Sequence, residues 1–136
     1  MAKNITGYLM PALLLALALP IAAYAADAGS AAAKQASTAS AHAGMALGAA
    51  NLKMAQTHLH HVVNCLVGTS GAGFDAAAGN PCKGMGNGAI ADAKGDAVTE
   101  TKLKEALAQA NDGIVATTLE ATHADAQKAM NTLQAK

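Results

Sequence analysis

The segment 58–65, HLHHVVNC, carries three of the five histidines and one of the two cysteines of the chain. It closes a stretch in which small and apolar residues recur at alternating spacings of three and four, the period of one face of an amphipathic helix. The members of this stripe are Met45, Gly48, Leu52, Ala55, Leu59, Val62 and Leu66. Gly68 ends the pattern. The segment therefore lies at the C-terminal end of a helix, with its polar residues beside the apolar face.

Residues 1–25 have the layout of a secretory signal peptide. A short polar start with one lysine precedes the apolar run 5–23, and the small-x-small triplet Ala23-Tyr24-Ala25 follows. We expect cleavage after Ala25 and a periplasmic or secreted protein, with no membrane association afterwards. An uncleaved N-terminal anchor is the alternative.

The composition of residues 26–136 excludes some partners. Eight lysines face nine acidic residues and the chain has no arginine, so the net charge is about −1. A nucleic-acid-binding protein needs a basic surface, and a polybasic membrane patch is also absent. Phe74 is the one aromatic residue after the signal peptide, so the core is thin and would gain from a covalent link. A homodimer would also enlarge it, but the pattern does not specify one.

The segment 67–96 contains eight glycines and reads as a long loop. Cys82 lies within it, 17 positions after Cys65. In an exported chain with two cysteines we expect a Cys65–Cys82 disulfide, which would contribute about 3 kcal/mol by restricting the unfolded chain. A reduced pair active in redox or metal chemistry is the alternative, although no CxxC motif is present.

The remaining pattern predicts an all-α protein, a small helical bundle with a disulfide-tethered glycine-rich loop. Residues 26–40 are an Ala/Ser leader or a frayed helix, and residues 41–136 form the bundle domain. Asn51 and Asn111–Gly113 are predicted turns, which gives two helical hairpins. The four helices expected are 31–49, 52–66, 98–110 and 114–134. If the chain does not turn at Asn51, one helix runs from about residue 31 to residue 66 instead.

A candidate metal site lies on the edge of the helix that ends at Cys65. Residues spaced by three and four share a helix face, which brings Met54, His58 and His61 together. Imidazole with a thioether suits copper, especially Cu(I), and imidazole alone also binds zinc or nickel. A turn at Asn51 would bring in His42, and the disulfide would bring Met85 near. The predicted ligands are His42, Met54, His58, His61 and Met85, with His123 and Met130 as a weaker second pair.

Motifs for catalysis are missing from the sequence. No nucleophile-and-base signature is recognisable, and no CxxCH motif exists for covalent haem. We therefore expect a non-catalytic protein without haem that binds a transition metal, copper first. The alternative is an envelope interaction module that docks an unidentified protein partner through the glycine-rich loop.

The HLxH pattern and the AxxALxxA repeats in 42–66 and 106–133 resemble small periplasmic metal-binding proteins. That resemblance implies a four-helix bundle with copper affinity. The chain has far fewer histidines than those proteins, and it adds the segment NCLVG…GNPCKGMGNGAI.

Overall fold

The computed structural model describes the backbone of residues 21–136 and the side chains from Gly29 onward. The predicted signal peptide and its cleavage site therefore lie outside the part whose side chains are described. All regular structure in residues 21–136 is helical, which confirms the all-α prediction. The helices are α1 (Ile21–Leu47), α2 (Leu52–Val67), α3 (Ala89–Asp92), α4 (Ala97–Val115) and α5 (Leu119–Gln134). None of them is long and apolar enough to cross a membrane.

The bundle consists of two helical hairpins. Helix α1 packs against α2, and α4 packs against α5. The hairpins join through contacts of α1 with α5 and of α2 with α4, so the order around the bundle is α1, α2, α4, α5. The short helix α3 lies within the glycine-rich loop and contacts α1, α2 and α4.

The first hairpin turns at Asn51, as the favoured interpretation predicted. The Asn51 side chain caps α2, because its Oδ1 accepts a hydrogen bond from the Met54 backbone N–H at 2.9 Å. The alternative of one helix running through residue 51 is therefore wrong.

The second predicted turn, at Asn111–Gly113, is wrong, because α4 continues to Val115. Gly113 is buried there because a crossing helix comes close, and Thr122 of α5 donates a hydrogen bond to its carbonyl at 3.1 Å. Gln56 of α2 donates to the carbonyls of Ile114 and Ala116 at 2.7 and 3.0 Å, which satisfies the end of α4.

Alanine supplies much of the core, as the composition suggested. The buried face of α1 carries Ala32, Ala39, Ala43 and Ala46, and larger residues come from the other helices, including Leu59, Leu66 and Leu103. Residues 29–40 are thus part of a helix whose face packs into the bundle. Met45, which the apolar stripe predicted to be buried, is 50% exposed. The buried face of α1 runs through Ala43 and Ala46 instead, and Met45 lies beside it.

The glycine-rich loop is held against the middle of α1 and the C-terminal end of α2. Cys65 and Cys82 form the predicted disulfide, with their Cα atoms 5.2 Å apart. Gly88 has φ 110° and lies so close to Val67 that a Cβ would come within 2.5 Å of its carbonyl carbon, which requires glycine. The buried Gln35 of α1 accepts a hydrogen bond from the Gly88 N–H at 2.8 Å and donates to Asp92 at 2.7 Å.

Two glycine-to-alanine substitutions should change stability in opposite directions. A Cβ at Gly113 would lie 2.5 Å from Leu59 Cδ1, and the overpacking of a fully buried leucine costs about 1–3 kcal/mol. At Gly44, also within a helix, the nearest atom would be Met130 Sδ at an ordinary 3.6 Å. Gly44→Ala should therefore stabilise the protein by up to about 1 kcal/mol, the usual difference in helix propensity. Urea unfolding measures both; a stabilised Gly113→Ala variant would contradict the close packing.

Loss of the disulfide should lower the free energy of unfolding by about 3 kcal/mol, because the unfolded chain regains the freedom of the closed loop. We expect a clear fall in melting temperature for the Cys65→Ala/Cys82→Ala variant, with much of the helical circular dichroism retained below the transition. Equal melting of this variant and the oxidised protein would show that the disulfide does not stabilise the fold.

Candidate metal centre

Three histidines from two helices converge at one point on the first hairpin. His42 Nδ1 lies 3.4 Å from His58 Nδ1 and 3.3 Å from His61 Nδ1. One ligand atom from each ring lies within 4.8 Å of the other two, and all three residues are half-buried. We call His42, His58 and His61 the histidine triad. The triad could hold a metal ion.

Local structure explains why the rings meet. His58 and His61 are three residues apart in α2 and so occupy one face in successive turns. The turn at Asn51 reverses the chain and brings His42 of α1 alongside them. The triad therefore exists only when α1 and α2 are docked in this register.

The spacing of the nitrogens suits a four-coordinate ion. Imidazole nitrogens bind Zn²⁺ at about 2.0–2.1 Å, so ligands at two corners of a tetrahedron are roughly 3.3 Å apart. The two separations at His42 Nδ1, 3.3 and 3.4 Å, match that edge. Each neutral ring nitrogen without a proton offers a single lone pair. His42 Nδ1 therefore cannot make good hydrogen bonds to both neighbours, whereas a cation can accept all three lone pairs.

The tautomer of His61 is set by the loop. His61 Nε2 lies 2.6 Å from the carbonyl oxygen of Ala78, which can only accept, so Nε2 carries the proton. The neutral ring then has its lone pair on Nδ1, the atom that faces His42. A backbone carbonyl bound to the second ring nitrogen is the usual support of a metal-ligating histidine.

Asn64 positions that carbonyl. Its fully buried side chain donates to the carbonyls of Asp75 and Gly79 at 2.7 and 2.6 Å and accepts from the Asp75 N–H at 2.8 Å. The Asp75 side chain in turn accepts from the Ala77 and Ala78 N–H groups at 2.9 and 3.3 Å. Residues 75–79 are thus fixed on both sides of Ala78.

The electrostatics of two histidines of the triad, His42 and His58, favour the neutral ring. Burial, followed by the neighbouring charges of His61 and His58, lowers the pKa of His42 below its usual 6.5. Burial and then His61 lower the pKa of His58. Neutral imidazole is the form that binds metal. A lowered pKa therefore weakens the competition between protons and a metal ion at neutral pH.

The other candidate residues lie on α2, α5 and the glycine-rich loop. Met54 is 48% exposed, four residues before His58, and Met85 Sδ lies 3.6 Å from Thr38 Oγ1 of α1. His60 faces away, with Nδ1 3.3 Å from Asp75 Oδ2. Of the predicted weaker pair, His123 Nε2 lies 3.2 Å from the Ala49 carbonyl, and Met130 packs on the core.

Sequence reasoning missed the residues that support the triad. A backbone carbonyl such as that of Ala78 carries no side-chain signature. Asn64 was visible as a polar residue within an apolar run, VVNCLV, and a buried asparagine needs partners. That was the available signal.

Comparison with family models, characterised proteins and solved structures gave no match to this chain. The geometry of the described residues therefore carries the functional argument.

The lowered pKa values predict how the metal-free protein responds to acid. Below pH 6.5 the unfolded chain takes up protons at His42 and His58 before the folded protein does, so the free energy of unfolding falls as pH drops from 6.5 through the folded pKa values. A His42→Gln/His58→Gln variant should lose part of this dependence. Urea unfolding of both proteins between about pH 7.5 and 5 measures it. The carboxylates are the same in both, so parallel curves would contradict the prediction.

Proposed function

We propose that this chain is an exported, non-catalytic protein that binds a transition metal, copper first, through the histidine triad. The observation that supports it most is the convergence of three Nδ1 atoms from α1 and α2, with the proton of His61 held on the far nitrogen by Ala78. Convergent lone pairs and a fixed tautomer are both properties of metal-binding histidines.

The ligand chemistry favours copper among the divalent ions. Nitrogen ligands bind first-row divalent metals with an affinity that rises to Cu²⁺ and falls again at Zn²⁺. The triad consists of three imidazoles and holds no carboxylate, which disfavours magnesium, calcium and manganese. Zinc and nickel are the competing ions.

Three protein ligands leave one position of a tetrahedral ion open. Structural zinc sites normally close all four positions with side chains, whereas an open position accepts water or a ligand from another molecule. The half-buried triad is also accessible from solvent. These features favour reversible binding or transfer of the ion over a permanent structural role. In this proposal the triad binds the ion and does not catalyse a reaction, since it holds no carboxylate and Asp75 Oδ2 faces His60 Nδ1 instead.

Export is the second part of the proposal. A disulfide between Cys65 and Cys82 is stable in an oxidising compartment such as the periplasm. The predicted signal peptide in residues 1–25 agrees with that location. The helical-hairpin organisation also agrees with the resemblance to small periplasmic metal-binding bundles.

Single substitutions test the triad. We expect His42→Ala, His58→Ala and His61→Ala each to weaken Cu²⁺ and Zn²⁺ binding at least about tenfold, because each removes one of three ligands. Isothermal titration at pH 7.5 measures affinity. Metal should also raise the melting temperature of the unmodified protein, since the ion binds the folded state. At a free metal concentration of 100 times Kd, the free energy of unfolding should rise by about 2.7 kcal/mol.

His60→Ala and His123→Ala are the matched controls, because both remove an imidazole that faces other partners. Both should keep the affinity of the unmodified protein. If the triad variants bind as tightly as the controls, or if the unmodified protein binds neither ion, the proposed function is wrong.

A further inference from the structure

Three methionines on α1, α2 and the glycine-rich loop are exposed to solvent. Methionine is among the residue types most often buried. In the described part of the chain five large apolar side chains are exposed, and three of them are methionines: Met45 (50%), Met54 (48%) and Met85 (36%). Met130, by contrast, packs against the core. Exposure of three thioethers is not explained by packing.

Two of the exposed methionines lie one helical turn from a triad histidine. Met45 follows His42 by three residues, and Met54 precedes His58 by four, so each pair shares a helix face. Met45 and Met54 are each three residues from the turn 48–51 and therefore lie at the same end of the hairpin.

Met85 lies on the other side of the triad. Its sulfur is 3.6 Å from the Thr38 hydroxyl, and Thr38 precedes His42 by one turn of α1. The histidines are thus flanked by Met45 and Met54 towards the turn and by Met85 in the opposite direction. We call these three residues the thioether rim.

We propose that the thioether rim binds Cu(I) and places it next to the triad, so that the protein accepts copper in its reduced as well as its oxidised state. This inference rests on the proposed function and adds the oxidation state of the ion and the residues that receive it. Binding involves no electron transfer, because the ion arrives and remains as Cu(I).

The chemistry of the donors supports this assignment. Thioether sulfur is a soft ligand that selects Cu(I) and has little affinity for Zn²⁺. Both cysteines are consumed by the disulfide, so no thiolate competes for a soft ion. Methionine has three rotatable side-chain bonds, and an exposed side chain can swing by several ångströms without disturbing the core. A thioether of the rim can therefore join an imidazole of the triad on one ion.

The test replaces the sulfurs and keeps the shapes. Leucine has nearly the volume of methionine, so the triple variant Met45→Leu/Met54→Leu/Met85→Leu should fold normally. Ag(I) serves as a redox-inert probe of soft-ligand binding, and Cu(I) is added under anaerobic conditions with a competing chelator. We expect the triple variant to bind both ions at least about tenfold more weakly, with unchanged Zn²⁺ affinity. Met130→Leu is the matched control and should bind all three ions like the unmodified protein.

A spectroscopic readout separates direct ligation from indirect effects. With ¹³C-methyl-labelled methionine, Ag(I) should shift the resonances of Met45, Met54 and Met85 and leave that of Met130 in place. Unchanged Ag(I) affinity in the triple variant, or an equal loss of Ag(I) and Zn²⁺ binding, would overturn the inference. Failure of His58→Ala and His61→Ala to weaken Zn²⁺ binding would instead overturn the proposed function.

Discussion

The side-chain amide of Asn64 is the contact on which the loop and the candidate metal centre both depend. It is fully buried, and it binds the backbone of Asp75 and Gly79 through all of its hydrogen-bonding groups. A buried amide without partners costs about 1–3 kcal/mol, so the loop cannot leave α2 cheaply. The next residue, Cys65, adds the covalent link to Cys82. Together they keep the Ala78 carbonyl on His61, which a long glycine-rich segment would not do alone.

The core is built from small residues that allow the helices to pack closely. Alanine buries little apolar area, and the bundle compensates by bringing helices close together. Gly113 lets α4 approach Leu59 of α2, and Gly88 lets the loop backbone lie against Val67. Polar side chains then bind the backbone groups left without partners. Gln56 donates to the last carbonyls of α4, and Gln35 accepts from the Gly88 N–H. Because the small residues let the helices pack in close contact, a shift of α1 along α2 would disturb many contacts at once.

Local signals predicted much of the fold. The helical class, the disulfide and the turn at Asn51 followed from periodicity, two cysteines behind a predicted signal peptide, and a good capping residue. The Asn111–Gly113 turn was wrong because Asn-Asp-Gly is a turn sequence in isolation, whereas here tertiary packing uses the glycine inside α4. Met45 was misplaced because its spacing continued the stripe of α2 across a turn. The deciding contact of Gly113, with Leu59, lies far away in sequence, whereas Met45 is decided by the nearby turn.

The candidate site also combines residues that the sequence predicts with groups that depend on tertiary structure. His58 and His61 were predictable because three-residue spacing fixes two side chains on one helix face. His42 depended on the predicted turn at Asn51, and the Ala78 carbonyl was beyond any sequence pattern. His42 and the Ala78 carbonyl, which the sequence predicts least directly, are therefore the groups that tie the candidate site to tertiary structure. An ion held by His42 together with His58 and His61 would bind α1 to α2, so in the proposed function the affinity for metal and the docking of the hairpin would be one linked equilibrium.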